Sequence, residues 1–123
     1  NIHCELFTFS KDMIKYYQKS DLAITRSGAS SLAELTNLRI PFIAIPLPTS
    51  ADNHQFINAN YFMEKGYCYL LEEKFISGNL HKILVDLSKN QKKLQDISEK
   101  MSQHSDKNIF LKIEKLLKET LNE

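Results

Sequence analysis

The apolar residues of this chain fall into short, unbroken runs with few polar positions inside them. Leu22 to Thr25, Pro41 to Pro46 and Tyr67 to Leu71 are such runs, and Cys4 to Phe9 is a looser one near the start. Runs without polar alternation are typical of parallel strands that are covered on both faces. We therefore predict a strand in each of the four segments.

Segments with helical spacing separate these runs. Helices are predicted over Asp12 to Gln18, over Ala29 to Leu38 and from about Asp52 to Lys65, and Gly66 follows the last of these in the position of a helix C-cap. Strands that alternate with helices predict an α/β fold, a Rossmann-like parallel sheet flanked by helices with right-handed crossovers.

From Ser77 onward the pattern is helical only. Three apolar stripes follow one another, made of Leu80, Ile83, Leu84 and Leu87, then Leu94, Ile97 and Met101, then Ile109, Ile113, Leu116, Leu117 and Leu121. Each stripe would bury one helix face, so these helices are predicted to close a single domain over residues 1–123.

Charge and composition exclude several functions. Sixteen basic and fifteen acidic residues leave a net charge of +1, which does not indicate a nucleic-acid groove. Cys4 and Cys68 are isolated and the four histidines are scattered, so a zinc site is not expected. The sequence shows no membrane-spanning run and no signal peptide, and we expect a soluble, cytoplasmic domain. Because the chain starts inside an apparent strand and without methionine, we expect a fragment that lacks an N-terminal part.

The segment "TRSGASSLAEL" is the first candidate site. A buried strand stops at Arg26, Ser27 and Gly28, and a helix begins at about Ala29. A strand, a glycine turn and a helix start direct several backbone N–H groups at one point, which favours an anion such as phosphate. The hydroxyls of Ser30 and Ser31 would add donors. Alternatively, these serines only cap the helix.

Glu34 lies about one helical turn beyond Ser31 on the same face. A carboxylate there does not suit a phosphate, but it would accept hydrogen bonds from ribose hydroxyls. The alternative is a solvated surface residue. The loop "PLPTSADNHQ" follows the next strand, and ligands of parallel sheets bind outside the carboxyl ends of the strands. Two polar loops at neighbouring strand ends therefore indicate a shared pocket.

The run from Ser20 to Tyr67 resembles the C-terminal half of MurG-type glycosyltransferases. The resemblance rests on the R-S-G-A turn, a glutamate six residues after its glycine, a P-x-x-x-x-P strand, a D-x-H-Q-x-x-N-A helix start and a glycine that ends this helix. It extends over roughly Phe7 to Glu72. This family has a GT-B architecture of two Rossmann-like domains facing across a cleft. The resemblance implies that the present chain is the donor-binding C-terminal domain.

The resemblance also implies roles for individual residues in binding UDP-N-acetylglucosamine, the donor substrate of the family. Diphosphate contacts map to Ala29, Ser30 and Ser31, next to the small residues Ser27 and Gly28, and the ribose contact maps to Glu34. Contacts to the transferred sugar map to His54, Gln55 and Asn58, and main-chain contacts to uracil map to Phe9, Ser10 and Met13.

Two of these residues have a second interpretation from the sequence. Arg26 either contacts phosphate or pairs with a neighbouring carboxylate. His54 either binds the sugar or is a surface residue beside a helix start.

The family transfers N-acetylglucosamine to lipid I, the lipid-linked muramyl-pentapeptide, and so forms lipid II of peptidoglycan. The resemblance implies catalysis without a metal or other cofactor, with the catalytic base on an N-terminal acceptor domain that this chain lacks. The chain alone is then expected to be inactive, and the whole protein is expected to bind peripherally to the cytoplasmic face of the inner membrane. Two rivals stay open: a related UDP-sugar transferase with another lipid acceptor, and a non-catalytic nucleotide-binding module.

Overall fold

A computed structural model describes residues 20–103 and 115–120 of the chain. The strands are β1 (Ala23–Thr25), β2 (Phe42–Ala44) and β3 (Cys68–Leu70), and the four long helices are α1 (Ala29–Asn37), α2 (His54–Glu64), α3 (Ile76–Lys89) and α4 (Lys92–Ser102). Short 3-10 turns over Ala51–Asn53 and Glu73–Phe75 precede α2 and α3, and residues 115–120 are helical. The strand predicted at Cys4 to Phe9 and the helix predicted at Asp12 to Gln18 lie outside the described residues.

The three strands form one parallel sheet in the order β1-β2-β3. Ile24 is paired with Ile43, and Ile43 with Tyr69, so that the carboxyl ends of all three strands lie at one edge. The predicted α/β fold with a parallel sheet is confirmed. The strands are shorter than their apolar runs, although flanking residues still bond to the neighbouring strand: Ile45 N–H donates to Thr25 O, and Leu71 N–H donates to Ala44 O.

The sheet is covered on both faces because neighbouring residues of β2 point in opposite directions. Phe42 and Ala44 pack into a cluster with α1 and α2, while Ile43 packs into a second cluster with the apolar stripe of α3. All three residues are fully buried. The lack of polar alternation that predicted a doubly covered strand therefore has this direct structural cause.

Helices α1 and α2 cover the first face of the sheet and carry the candidate site at their N-terminal ends. The larger cluster contains buried residues from both helices, from β2 and from α4, namely Leu32, Ala33, Leu35, Phe42, Ala44, Ala59, Phe62 and Met101. Phe42 and Phe62 meet edge to face with ring centroids 5.9 Å apart. This packing joins α1 and α2 to the same strand.

The glycine predicted to end the second long helix does so. Gly66 follows α2 with φ of 82°, and its N–H donates to Met63 O while the N–H of Tyr67 donates to Phe62 O. This pair of bonds is a Schellman motif, which needs a left-handed residue after the helix. Helix α1 ends in the same way, but Arg39 occupies the left-handed position with φ of 59°.

Two helix starts differ from their predictions. Helix α2 begins at His54 rather than near Asp52, because Asp52 and Asn53 adopt left-handed backbone angles with φ of 52° and 58°. In α3, Ser77 and Gly78 are non-helical, and Gly78 has φ of 82°. Asp, Asn and Gly tolerate this conformation better than other residues, so these interruptions occur where the sequence permits them.

Candidate functional site

The start of α1 is open at the carboxyl edge of the sheet. Gly28 is the N-cap residue, no side chain of residues 20–103 or 115–120 caps the helix, and the first helical bond runs from Leu32 N–H to Gly28 O. The N–H groups of Ala29, Ser30 and Ser31 therefore have no acceptor within the helix. The alternative interpretation that the serines cap the helix does not match this geometry. N–H donors that have no acceptor in the described part of the chain, at the positive end of a nine-residue helix, suit an anion.

The position that a side chain of Gly28 would occupy is open among the described residues. Its backbone angles, φ of −66° and ψ of 136°, are ordinary for any residue. A Cβ atom built at this position would meet no atom of the described residues within 4 Å. Neither backbone conformation nor packing within the described part of the chain requires glycine there. The missing side chain keeps the approach to the helix start clear.

Ser27 holds the turn through its backbone. The residue is fully buried, its N–H donates to Gln55 Oε1 at 3.2 Å, and its carbonyl oxygen accepts a bond from Asn58 Nδ2 at 3.1 Å. The Ser27 hydroxyl is buried without a hydrogen-bond partner among the described residues. Two predicted site residues on α2 thus reach back to the turn that precedes α1.

Gln55 also contacts the second predicted loop. Its Oε1 accepts a further bond from Leu47 N–H at 2.8 Å, and its own backbone N–H donates to Ser50 Oγ at 3.3 Å. A single side-chain oxygen therefore joins the loop after β1 to the loop after β2. The two loops expected to share a pocket are thus connected through Gln55, and the pocket itself stays a prediction.

His54 stands at the first position of α2, beside the two left-handed residues. Its side chain is 24% exposed, and Nε2 lies 3.8 Å from Asp52 Oδ2. This distance is too long for a hydrogen bond, and Nε2 is buried without a hydrogen-bond partner in the described part. Left-handed residues other than glycine cost energy and concentrate at functional sites. Here they set the direction in which His54 leaves the loop.

Arg26 makes contacts at the ends of all three strands. It follows β1, its NH2 nitrogen pairs with the carboxylate of Glu73 beyond β3, and its NH1 nitrogen lies 3.5 Å from the carbonyl oxygens of Ile45 and Pro46 beyond β2. Both charged side chains are nearly half exposed. Of the two interpretations of Arg26, the structure shows the carboxylate pair, and a phosphate contact stays a prediction.

Glu34 is half-buried in α1, and its carboxylate forms no hydrogen bond or ion pair with the other described residues. It is available to a ligand, and the ribose contact stays a prediction. Ser10 and Met13, the predicted uracil contacts, lie outside the described residues together with Phe9. Over residues 20–103 and 115–120, no cluster of three or more His, Cys, Asp or Glu side chains is arranged to hold a metal ion. None of the helices in these ranges has the length and apolar character to cross a membrane.

Sequence reasoning missed three groups of this site. They are the Leu47 N–H, the Ser50 hydroxyl and the Glu73 carboxylate. A backbone N–H leaves no trace in a sequence, and Glu73 lies 47 residues from its partner Arg26. Only Ser50 had a signal, because a serine shortly before a helix start often accepts a bond from the backbone N–H groups that follow.

The fold and the site together define a class of protein. The chain is a Rossmann-like domain with a helix start and two polar loops at the carboxyl edge of a parallel sheet. Nucleotides usually bind at this edge in such domains. Residues 1–117 match the family model described as the glycosyltransferase family 28 C-terminal domain. The chain belongs to this family.

Individual relatives agree with the family match. The chain is 54% identical over 76 residues to a Pelagibacter ubique protein named UDP-N-acetylglucosamine--N-acetylmuramyl-(pentapeptide) pyrophosphoryl-undecaprenol N-acetylglucosamine transferase, covering 62% of this chain and 21% of that protein. It is 41% identical over 102 residues to the Rickettsia felis protein of the same name, covering 82% of this chain and 28% of that protein. The crystal structure of Acinetobacter baumannii MurG superposes with a TM-score of 0.71 at 25% identity, covering 90% of this chain and 33% of that one. The chain thus spans only about a quarter of the length of these curated relatives.

Proposed function

We propose that this chain is the donor-binding part of an enzyme that transfers N-acetylglucosamine from UDP-N-acetylglucosamine to lipid I, giving lipid II of peptidoglycan. The names of the Pelagibacter and Rickettsia relatives support the reaction. The observation in this chain that carries the proposal is the start of α1, which has no side-chain cap among the described residues and an open position at its N-cap Gly28. We propose that the diphosphate binds at this helix start, where the positive end of the helix favours an anion.

The proposed role of α1 is to bind the diphosphate and stabilise it as it leaves. When the bond between the sugar and the β-phosphate breaks, negative charge increases on the departing UDP. The N–H groups of Ala29, Ser30 and Ser31, together with the positive end of the helix, would stabilise that charge in a fixed geometry. We propose that this happens without a metal ion. Donor binding and transfer are then expected to continue in the presence of EDTA.

The remaining site residues are proposed to bind the ribose, the uracil and the transferred sugar of the donor. Glu34 would accept hydrogen bonds from the ribose hydroxyls, and His54 would contact the transferred sugar from the start of α2. Gln55 and Asn58 each have one side-chain polar atom, Nε2 and Oδ1, that makes no hydrogen bond to the part of the protein described here, and we propose that these atoms contact the transferred sugar. Main-chain groups at Ser10 and Met13 are proposed to hold the uracil.

The acceptor side is proposed to lie in another part of the protein. The family model is that of a C-terminal domain, and the relatives are three to five times longer than the segment that they share with this chain. We propose that an N-terminal domain binds the lipid-linked acceptor and supplies the base that activates the acceptor hydroxyl. Because the relatives' acceptor is named as an undecaprenol derivative, we propose that the whole protein works peripherally at the cytoplasmic face of the inner membrane.

Transfer by the full-length protein tests the proposal. Radiolabelled UDP-N-acetylglucosamine should yield labelled lipid only when lipid I is present, and other lipid-linked acceptors should not replace it. Product formed with a different lipid acceptor alone would support a related transferase. Tight UDP binding without any transfer would support a non-catalytic binding module. Absence of UDP binding in a folded protein would contradict the donor-site assignment itself.

A further inference from the structure

The side-chain amides of Gln55 and Asn58 are tied to one turn. Gln55 Oε1 lies 3.2 Å from Ser27 N and 2.8 Å from Leu47 N, and Asn58 Nδ2 lies 3.1 Å from Ser27 O. Both backbone groups of Ser27 are thereby bonded to side chains of α2. We call these three hydrogen bonds the amide clamp.

The partners determine the orientation of both amides. The N–H groups of Ser27 and Leu47 are donors only, so Gln55 must turn its oxygen toward them. The Ser27 carbonyl is an acceptor only, so Asn58 must turn its NH2 group toward it. The two side chains therefore have different roles. Gln55 supplies a hydrogen-bond acceptor, and Asn58 supplies a hydrogen-bond donor.

The amide clamp lies directly before the anion-accepting helix start. Ser27 precedes Gly28, the N-cap of α1, so a shift of Ser27 moves the first N–H groups of the helix. Ser27 is fully buried, so loss of a partner would leave its carbonyl or N–H group unsatisfied in the interior, which is costly. Leu47 belongs to the loop after β2, so the clamp also fixes that loop relative to the turn.

We propose that Gln55 and Asn58 are positioning residues for the diphosphate site: their amides fix the Ser27–Gly28 turn against the loop after β2 and so hold the N–H donors of α1 in place. This assigns them a function that acts on the nucleotide and not only on the transferred sugar. The effect on nucleotide rests on the proposed function, whereas the effect on the turn does not.

Titration with UDP separates this role from a contact to the transferred sugar, because UDP lacks the N-acetylglucosamine. Loss of a side chain that touches only the sugar weakens UDP-N-acetylglucosamine and leaves UDP binding unchanged. Loss of a positioning residue weakens the binding of both UDP and UDP-N-acetylglucosamine. In Gln55→Met, which keeps the length of the side chain but removes the acceptor, we expect the affinity for UDP and for UDP-N-acetylglucosamine to fall by similar factors, roughly fivefold to tenfold.

Amide hydrogen exchange of the full-length protein tests the clamp without any ligand. In Gln55→Met the Ser27 and Leu47 amides should exchange about tenfold faster or more. The Ile45 amide, which bonds to Thr25 O at 2.8 Å in the adjoining ladder, should keep its rate and serves as the internal control. Gln55→Glu retains an acceptor oxygen and should keep both amides protected.

The second pair of variants uses the donor requirement of Asn58. Asn58→Asp places a carboxylate against the Ser27 carbonyl and should weaken UDP binding. Asn60→Ala is the control on the same helix, since the Asn60 amide bonds only to Glu64 among the described side chains, and it should leave UDP binding unchanged.

Unchanged exchange at Ser27 and Leu47 in folded Gln55→Met would overturn the clamp, and so would normal UDP affinity combined with weakened UDP-N-acetylglucosamine binding. If the unsubstituted protein binds no UDP, the proposed function fails. Faster exchange at these two amides would still support the clamp in that case.

Discussion

The guanidinium group of Arg26 pairs with the carboxylate of Glu73 and so joins the end of β1 to the segment that follows β3. The same side chain lies against the carbonyl oxygens of Ile45 and Pro46 at the end of β2. These contacts occur at the edge where the ligand is proposed to bind. A cationic side chain beside a phosphate site is a candidate to bind the phosphate, but Arg26 already has a carboxylate partner in Glu73.

We predict that Arg26→Gln acts on stability more than on the nucleotide. The pair is nearly half exposed, so its loss should lower the free energy of unfolding by at most about 1 kcal/mol. Glu73→Gln should have a similar effect, and the double variant should lose little more than either single variant. Urea unfolding measures these values. A large loss of UDP affinity in Arg26→Gln, with none in Glu73→Gln, would instead support the phosphate contact.

The two left-handed helix ends give a second prediction. Arg39 after α1 and Gly66 after α2 occupy equivalent positions of Schellman motifs, but only Gly66 lacks the steric penalty of a Cβ atom. Arg39→Gly should raise the free energy of unfolding by about 0.5 to 1 kcal/mol. The bond from Ser98 Oγ to Arg39 O involves the backbone and should persist.

Gly66→Ala is the reciprocal change and should lower the free energy of unfolding by about 1 kcal/mol or more. A Cβ atom there would lie 3.2 Å from Lys100 Nζ, a flexible group that can move, so most of the cost would come from the backbone. Chemical denaturation of both variants measures the difference. Destabilisation by Arg39→Gly would contradict this account.

These helix ends also show what a sequence reveals. Gly66 was predicted to end α2 because glycine is the usual residue there, and the structure confirms it. Arg39 carries no such signal, although it adopts the same conformation. The backbone angle at Arg39 is imposed by burial of Ile40 and Leu35 on either side of the turn, which is a tertiary effect.

The candidate site also has one part that the sequence predicts and one part that depends on tertiary structure. The strand, turn and helix around Gly28 follow from local residue preferences, so the sequence predicted their order and their common edge. Two bonds of the amide clamp join residues that are 28 and 31 positions apart, and neither spacing has a periodic signature. The sequence placed Gln55 and Asn58 on one helix face, but their backbone partners emerge only when the sheet brings two loops together.

Glu34 provides the third prediction. Its carboxylate has no partner among the described residues, so Glu34→Ala should leave the melting temperature unchanged. If it accepts the ribose hydroxyls, the variant should bind UDP more weakly by about 1.5 to 3 kcal/mol, the usual range for a hydrogen bond to a charged group. Calorimetric titration of UDP measures this, with Glu99→Ala, an exposed glutamate of α4, as the control.

Dideoxy-UDP, which lacks both ribose hydroxyls, makes the test specific. The unsubstituted protein should lose affinity for this ligand, whereas Glu34→Ala should bind UDP and dideoxy-UDP about equally. Equal UDP affinity of Glu34→Ala and the unsubstituted protein would contradict the ribose contact and support the alternative that Glu34 is a solvated surface residue.

The last prediction concerns the empty space at Gly28. Since its backbone angles suit any residue and a Cβ atom meets nothing within 4 Å among the described residues, Gly28→Ala should fold normally. Alanine restricts the unfolded chain but is less favourable than glycine at an N-cap, so the free energy of unfolding should change by less than about 1 kcal/mol. The added methyl group would occupy the space proposed for the diphosphate, so UDP affinity should fall by about tenfold or more, roughly 1.4 kcal/mol.

Gly78→Ala is the matched control for this prediction. Gly78 also has open space around it, but its φ of 82° makes alanine strained, so this variant should lose stability and retain UDP binding. Thermal unfolding and UDP titration of the two variants should therefore give opposite results. A Gly28→Ala protein that is stable and binds UDP as well as the unsubstituted protein would show that the diphosphate does not enter this space.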